Sequence, residues 1–206
     1  MPSFQYLSRA SKISNAPLVV MLHGYSSNEA DLFSFSSLIP SNYHVVSLQA
    51  PIALGMGYAW FPIHFEENME RWTSPQEAQK AIEYVNSFLS YYAEKYEVND
   101  KNITLLGFSQ GAMLSYSVGL ANTKVSAIAA LSGYLDPRVV SFTNAKKAIY
   151  VSHGEQDPVV PYSWAEQSVS LLKTNGYQPT FLSYPQGHGV SQDNLSSLIQ
   201  WLQDRL

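Results

Sequence analysis

Short apolar runs alternate with amphipathic stretches along the chain. Several of the apolar runs are continuous rather than interrupted at every second position, which is typical of strands buried on both faces of a sheet. They predict seven strands, at Phe4 to Leu7, Leu18 to Leu22, His44 to Leu48, Ile103 to Phe108, Ala127 to Leu131, Ala148 to Ser152 and Thr180 to Tyr184.

Amphipathic segments between these runs predict helices. Ser74 and Pro75 form an N-cap followed by proline at the first helical position, which opens the longest of them. The predicted helices are Asn28 to Leu38, Ser74 to about Tyr96, Gln110 to Ala121, Ser163 to Thr174 and Ser191 to Leu202. This alternation predicts an α/β fold with a mostly parallel, doubly wound sheet and helices on both faces. At 206 residues the chain is expected to form one domain.

The least regular stretch is Pro51 to Thr73, which is rich in aromatic residues. A segment of this length without regular structure inside a compact domain is more often a functional loop than a plain connection. A lid, a pocket wall and a dimer contact would each bury its aromatic side chains, and all three remain open.

Composition and charge narrow the function further. Hydrophobic residues make up 46% of the chain and charged residues 14%, with a net charge of −4 and no basic cluster, which argues against disorder and against a nucleic-acid partner. The absence of cysteine excludes disulfides and thiol catalysis. Met1 to Pro17 lacks the layout of a signal peptide, and no apolar run approaches the roughly 20 residues that span a bilayer. We therefore expect a cytoplasmic protein without stable membrane insertion.

The motif Gly-Phe-Ser-Gln-Gly at 107–111 directly follows a predicted strand and opens a predicted helix. In a G-x-S-x-G turn of this kind the chain reverses so sharply that the serine lies at the apex with its hydroxyl exposed. An ordinary glycine-flanked turn is the alternative, but the position between strand and helix favours a nucleophile. The motif thus predicts Ser109 as a catalytic serine.

A serine hydroxyl needs an adjacent base near neutral pH, and five histidines are available. His188 lies after the last predicted strand and before the last helix, where this fold class has its base. His23 and His153 each precede a glycine at a strand end and are better explained by structural hydrogen bonds. His44 begins an apolar strand, and His64 belongs to the aromatic stretch. His188 is therefore the predicted base.

The histidine in turn needs a carboxylate that fixes its tautomer. Asp157 lies in a loop after a predicted strand and ahead of a helix, and Asp136 follows the preceding strand as a rival. Glu155 is better explained as a solvated loop carboxylate. We favour Asp157, because the order Ser109, Asp157, His188 matches the chain order of this fold class.

Acyl transfer also needs donors for the oxyanion. The backbone N–H of Gln110, at the positive end of its helix, is one candidate. The backbone N–H of Tyr25, in the loop after an early strand, is the other. A metal site is not expected, because the histidines are scattered and no His-x-x-x-His pair occurs. A nucleotide cofactor is not expected either, because no glycine-rich phosphate loop precedes a helix.

Taken together, the motifs resemble the carboxylesterase/phospholipase branch of the α/β-hydrolases, which includes the acyl-protein thioesterases. The resemblance spans residues 18 to 190 and is carried, in order, by Leu22-His23-Gly24, Asn28-Glu29-Ala30-Asp31-Leu32, Ala59-Trp60-Phe61, Gly107-Phe108-Ser109-Gln110-Gly111-Ala112, Leu131-Ser132-Gly133-Tyr134, His153-Gly154-Glu155-Gln156-Asp157-Pro158-Val159-Val160 and Gly187-His188-Gly189.

This resemblance implies a serine esterase without a cofactor. It implies Ser109, Asp157 and His188 as triad, Tyr25 and Gln110 at the oxyanion hole, and Trp60 in the wall of the acyl pocket under a flexible loop. The stretch 58–63 lacks the arginine and aspartate usual in the family. Bacterial esterases that take short acyl chains are therefore a closer analogy than the depalmitoylating enzymes.

The leading hypothesis is a serine hydrolase that cleaves carboxylic ester or thioester bonds of small acyl substrates through an acyl-enzyme. A lactone or peptide hydrolase on the same fold is the nearest alternative. A non-catalytic binding protein is the alternative from a different class, which a complete triad and oxyanion loop disfavour. The oligomeric state is left open.

Overall fold

The computed structural model describes residues 3–65, 71–72 and 74–205. At its centre is a seven-stranded sheet in the order β1-β3-β2-β4-β5-β6-β7. The strands are β1 (Tyr6–Arg9), β2 (Ala16–Leu22), β3 (His44–Leu48), β4 (Val98–Phe108), β5 (Val125–Leu131), β6 (Ala148–Gly154) and β7 (Thr180–Tyr184). All neighbours are parallel except β1, which is antiparallel to β3. The predicted mostly parallel sheet is confirmed.

The strand register brings the predicted site residues to one edge of the sheet. Leu22 of β2 pairs with Gly107 of β4, and Phe108 pairs with Leu131 of β5. The carboxyl ends of these parallel strands therefore lie side by side. The chain also switches from one side of β2 to the other between β3 and β4. Open α/β sheets bind ligands at the carboxyl edge beside such a switch point.

Among the described residues, the helices that cover the sheet are α1 (Glu29–Phe33), α2 (Pro75–Lys95), α3 (Gln110–Ala121), α4 (Tyr162–Thr174) and α5 (Gln192–Gln203). Val20 of β2 belongs to an apolar cluster with side chains of α2, α3 and α4. Val19 and Met21 belong to a second cluster with Leu32 of α1 and apolar residues of α5. The continuous apolar run of β2 is thus explained by burial on both faces of the sheet.

Some predicted boundaries were wrong. α1 ends at Phe33 instead of Leu38, and tight turns follow, with Ser36 N–H donating to the Phe33 carbonyl at 2.9 Å. β4 begins at Val98 instead of Ile103, because its first residues pair with the start of β2 before a register shift. The polar run Asn99-Asp100-Lys101-Asn102 lies in this first part, so the strand was predicted only from the apolar run that follows it.

The irregular stretch contains two short hairpins, Ile52–Ala53 with Tyr58–Ala59 and His64–Phe65 with Arg71–Trp72. Residues 66–70 and 73 of the expected aromatic loop lie outside the described residues. Within residues 3–65, 71–72 and 74–205, no helix is long and apolar enough to cross a membrane.

Candidate active site

Ser109 lies at the junction between the last residue of β4 and the first residue of α3. Its backbone has φ 54° and ψ −116°, a conformation that residues other than glycine rarely adopt. The Ser109 N–H donates to the Leu131 carbonyl at 2.9 Å. This turn presents the hydroxyl at the carboxyl edge of the sheet, as the motif predicts.

The two glycines of the motif are required by close backbone contacts. A Cβ atom on Gly107 would lie 2.2 Å from the Gly111 carbonyl oxygen. A Cβ atom on Gly111 would lie 1.9 Å from the carbonyl oxygen of Leu22 in β2. Because both distances are far below van der Waals contact, a side chain at either position would displace α3 from the sheet.

His188 joins Ser109 to Asp157. His188 Nε2 lies 2.9 Å from Ser109 Oγ, and His188 Nδ1 lies 2.7 Å from Asp157 Oδ2. Since Nδ1 faces a carboxylate, it carries the ring proton of the neutral imidazole, and Nε2 accepts from the serine hydroxyl. The Asp157 side chain is fully buried and that of His188 is 17% exposed. The chain of contacts is suited to removing the serine proton.

The second oxygen of Asp157 is also occupied. Oδ1 accepts from the backbone N–H groups of Val159 and Val160 at 2.8 and 2.9 Å. A second histidine, His153, is fully buried beside the same carboxylate, with Nε2 2.9 Å from the Val160 carbonyl and 3.4 Å from Asp157 Oδ2. These contacts fix the carboxylate plane and direct Oδ2 to His188.

The two rival carboxylates have other partners. Asp136 forms an ion pair with Arg138, with Oδ2 at 2.6 Å from Nη2. Burial acts to raise the pKa of Asp136, but the hydrogen bonds and charge of Arg138 outweigh it and keep that pKa below its usual value. Glu155 accepts a hydrogen bond from Ser183 Oγ at 2.6 Å. Asp157 is the carboxylate that the structure brings to His188.

The two predicted oxyanion donors come from two different parts of the chain, the start of α3 and the loop after β2. Gln110 is the first residue of α3, where a backbone N–H has no acceptor within the helix. Tyr25 follows β2 and lines the same cavity as Ser109 and Gln110. The loop around Tyr25 is held by Ser26 N–H, which donates to the Tyr58 carbonyl at 2.9 Å.

Trp60 has a different position from the one expected. The cavity beside Ser109 is lined by Phe61 and Ile63, whereas Trp60 is only 1% exposed and is turned into the core. Its indole N–H donates to the His23 carbonyl at 2.8 Å, and its backbone N–H donates to Gln110 Oε1 at 2.9 Å. These two hydrogen bonds hold Trp60 outside the lining of the cavity beside Ser109 and tie it to the end of β2 and to the start of α3.

His23 completes this support. Its Nδ1–H donates to the Gly24 carbonyl at 2.8 Å, and its Nε2 accepts from Ala50 N–H at 3.1 Å. Burial is the main cause that lowers the pKa of His23 below its usual value, which favours the neutral ring that these bonds need. Gln110 Nε2 donates to the Phe61 carbonyl at 2.7 Å. The start of the loop after β2, residues 60 and 61, and the serine turn thus share one hydrogen-bond network.

The remaining two histidines have structural contacts. His44 Nε2 lies 2.7 Å from the Tyr92 hydroxyl, at the start of β3, as expected for a strand-end residue. His64 Nε2 lies 2.8 Å from Glu77 Oε2. Among the residues that the structure describes, no group of three His, Asp or Glu side chains is arranged to hold a metal ion.

A cavity of about 250 Å³ opens beside Ser109 and His188. Apolar and aromatic side chains form most of its wall, and the described wall contains no carboxylate, lysine or arginine. Its remaining lining residues are Tyr25, Phe61, Ile63, Gln110, Met113, Tyr134, Val159, Val160 and Trp164. Sequence reasoning missed seven of these as pocket residues, namely Phe61, Ile63, Met113, Tyr134, Val159, Val160 and Trp164. No periodicity in the sequence indicates which side chains face Ser109.

The chain is similar in sequence and in fold to several known proteins. The Phospholipase/Carboxylesterase family model matches residues 9–206. Acyl-protein thioesterase 1 of Mycosarcoma maydis is 28% identical over 94% of this chain and 92% of its own length, and that of Candida albicans is 27% identical over 90% of each chain. The crystal structure of esterase PE8 superposes with a TM-score of 0.85 at 27% identity, covering 99% of both chains. A Bacillus cereus carboxylesterase, with a TM-score of 0.88 at 19% identity over 98% of this chain and 95% of its own, shares the fold.

Proposed function

Since this chain belongs to the phospholipase/carboxylesterase family of α/β-hydrolases and is an enzyme that hydrolyses carboxylic ester or thioester bonds, we propose that Ser109 is its nucleophile. One observation carries the proposal: the chain of hydrogen-bond contacts from Ser109 Oγ through His188 to the buried carboxylate of Asp157. A nucleophile in contact with a base, and a base oriented by a third group, is the arrangement that activated serines need.

In the first half-reaction, Ser109 Oγ attacks the acyl carbonyl while His188 Nε2 takes the hydroxyl proton. Asp157 stabilises the imidazolium that forms, since its Oδ2 lies 2.7 Å from Nδ1. His188 then passes the proton to the departing alcohol or thiol, and the acyl group stays on Ser109.

In the second half-reaction, a water molecule replaces the leaving group. His188 takes a proton from the water, and the hydroxide attacks the acyl-enzyme. The proton then returns to Ser109 Oγ and releases the carboxylic acid. No external cofactor is needed to balance either half-reaction.

The backbone N–H groups of Tyr25 and Gln110 stabilise the oxyanion of both tetrahedral intermediates. The position of Gln110 at the amino end of α3 supports its role, because a helix amino terminus favours negative charge. The hydrogen bonds of His23, Trp60 and the Gln110 side chain hold the two segments that carry these donors in a fixed relative position.

We further propose that the acyl group is short and uncharged. The cavity volume of about 250 Å³ lies just below the range of roughly 300–1,000 Å³ usual for small-molecule pockets. The apolar wall would accept a hydrocarbon chain, and it offers no cation for an acidic one. A small ester or thioester is the corresponding substrate. Function in the cytoplasm stays a prediction from the sequence.

The test is turnover of p-nitrophenyl esters from two to sixteen acyl carbons by wild type, Ser109→Ala and Ser163→Ala. We expect the highest kcat/KM at short chains and a loss of about 10⁶-fold in kcat for Ser109→Ala. Ser163 is exposed at the start of α4, so its alanine variant serves as a matched control with normal turnover. Turnover by folded Ser109→Ala would overturn the assignment. If the wild type turns over none of the esters, the result would favour a lactone or peptide hydrolase, or a binding protein.

A further inference from the structure

A second cavity lies next to the one beside Ser109. It has a volume of about 350 Å³ and shares Tyr134 and Trp164 with the first cavity. The rest of its lining is Leu135, Asp136, Pro137, Arg138, Gln167 and Leu171. The two shared aromatic side chains therefore form the wall between the two cavities, and nothing in the proposed mechanism uses the second one.

The two aromatic rings are in direct contact. Their centroids lie 4.7 Å apart with an interplanar angle of 68°, which is an edge-to-face arrangement. Tyr134 lies in the loop after β5 and Trp164 lies in the first turn of α4, so the contact closes the gap between two separate elements. Burial raises the pKa of the Tyr134 hydroxyl, so the ring stays neutral as a pocket wall.

A buried serine fixes the two elements relative to each other. Leu135 N–H donates to Ser168 Oγ at 2.8 Å, and Ser168 Oγ donates to the Trp164 carbonyl at 2.6 Å. Ser168 is only 2% exposed, so water does not compete for these bonds. The residue after Tyr134 is thus tied to the backbone of Trp164, and the aromatic contact is held in place.

The second cavity is suited to an uncharged chain. Leu135, Leu171 and the two aromatic side chains supply apolar surface. Its one cation, Arg138, is paired with Asp136 through three contacts of 2.6 to 3.2 Å, so the described lining carries no net charge. Joining the cavities would more than double the space open to an acyl group on Ser109.

We propose that Trp164, packed against Tyr134, is the residue that sets the upper limit of acyl chain length. This inference rests on the proposed function, because it takes Ser109 as the acylated residue. With Trp164 in place the acyl chain ends at the aromatic wall. Without the indole ring the chain continues into the second cavity, and each methylene that becomes buried there raises kcat/KM by about fourfold.

The experiment compares p-nitrophenyl esters of increasing chain length on wild type, Trp164→Ala and Trp164→Phe. We expect Trp164→Ala to move the optimum of kcat/KM to longer chains by two or more carbons. Trp164→Phe keeps an aromatic wall and should keep the wild-type optimum. Trp164→Leu, which retains apolar bulk on α4, is expected to give the same shift and replaces the alanine variant if that one does not fold.

A second substitution tests whether the added chain enters the second cavity. Gln167 lies one helical turn after Trp164 and lines only that cavity. Gln167→Trp on its own should leave the short-chain optimum unchanged. Added to Trp164→Ala, the same substitution should restore the short-chain optimum. An unchanged optimum in a folded, active Trp164→Ala enzyme, or a shifted optimum that Gln167→Trp does not reverse, would overturn the proposal. Ser109→Ala is measured in the same series to distinguish a failure of this proposal from a failure of the proposed function. Turnover that does not depend on Ser109 would contradict the proposed function.

Discussion

Replacing Asp157 by asparagine should remove most of the activity while leaving the fold intact. In the wild type, Asp157 Oδ2 lies 2.7 Å from His188 Nδ1. Because a carboxylate oxygen can only accept, Nδ1 must carry the ring proton. An amide nitrogen at that position would itself donate to Nδ1, so the imidazole would carry its proton on Nε2. His188 would then donate toward Ser109 Oγ instead of accepting from it, at a contact that is 2.9 Å in the wild type.

The size of the expected loss in kcat follows from which ring nitrogen of His188 carries the proton. The asparagine oxygen can keep the two backbone donors Val159 and Val160, which lie 2.8 and 2.9 Å from Oδ1, so the loop and the global stability should change little. The base, however, is present in the wrong tautomer in nearly every molecule. In serine proteases this change lowers kcat about 10⁴-fold, which corresponds to about 5.5 kcal/mol of transition-state stabilisation.

The assay is kcat and KM on p-nitrophenyl acetate, with a thermal melt of each variant. We expect kcat to fall by about 10⁴ for Asp157→Asn, with KM within a few-fold of wild type. Asp136→Asn is the matched control, because that carboxylate is paired with Arg138 and should leave kcat near normal. A folded Asp157→Asn enzyme that keeps more than a tenth of wild-type kcat would refute the reasoning, and a large loss in Asp136→Asn would reassign the acid.

Three further outcomes are expected. Trp60→Phe removes the indole donor 2.8 Å from the His23 carbonyl and should lower kcat about three- to tenfold with KM unchanged, whereas lower stability with normal kcat would make Trp60 purely structural. Tyr116→Phe removes a buried hydroxyl that has no hydrogen-bond partner among the described residues. It should raise the free energy of unfolding by about 1 kcal/mol, and a lower melting temperature would contradict this. Burial lowers the pKa of His23 in the folded protein, so on acidification the unfolded chain binds this proton at a higher pH than the folded chain does. The free energy of unfolding should therefore fall as the pH drops below about 6.5, by up to about 1.4 kcal/mol per pH unit. Urea unfolding at pH 7 and 5.5 should show a smaller loss for His23→Gln, and equal losses would exclude His23 as a cause.

The sequence was sufficient to predict the residues that meet at the serine. Parallel strands have their carboxyl ends at one edge, so Ser109 after β4, Asp157 after β6 and His188 after β7 had to lie near one another once the sheet was predicted. The register of Leu22 with Gly107 likewise brings the loop of Tyr25 beside the serine turn. The alternation of strands and helices predicts the parallel arrangement, whereas the order of the strands is known only from the structure.

The pocket wall could not be predicted in the same way. Trp60, Phe61 and Ile63 are neighbours in an irregular stretch, and no periodicity indicates which side chain turns toward Ser109. Long-range hydrogen bonds decide it: the Trp60 indole N–H donates to the His23 carbonyl, the Trp60 backbone N–H donates to Gln110 Oε1, and Gln110 Nε2 donates to the Phe61 carbonyl. The position of Trp164 in the pocket wall could not be predicted either, because its contact with Tyr134 joins elements that are distant in sequence.

The central claim is that the reaction passes through an acyl group on Ser109, and trapping that intermediate tests it most directly. The enzyme would be mixed with p-nitrophenyl acetate, quenched in acid within the first turnover, and digested for peptide mass spectrometry. We expect one acetyl group on the peptide that contains Ser109, formed in wild type at the rate of the p-nitrophenol burst and absent from Ser109→Ala. Steady turnover with no acetylated peptide, or acetylation at another residue that persists in Ser109→Ala, would contradict it.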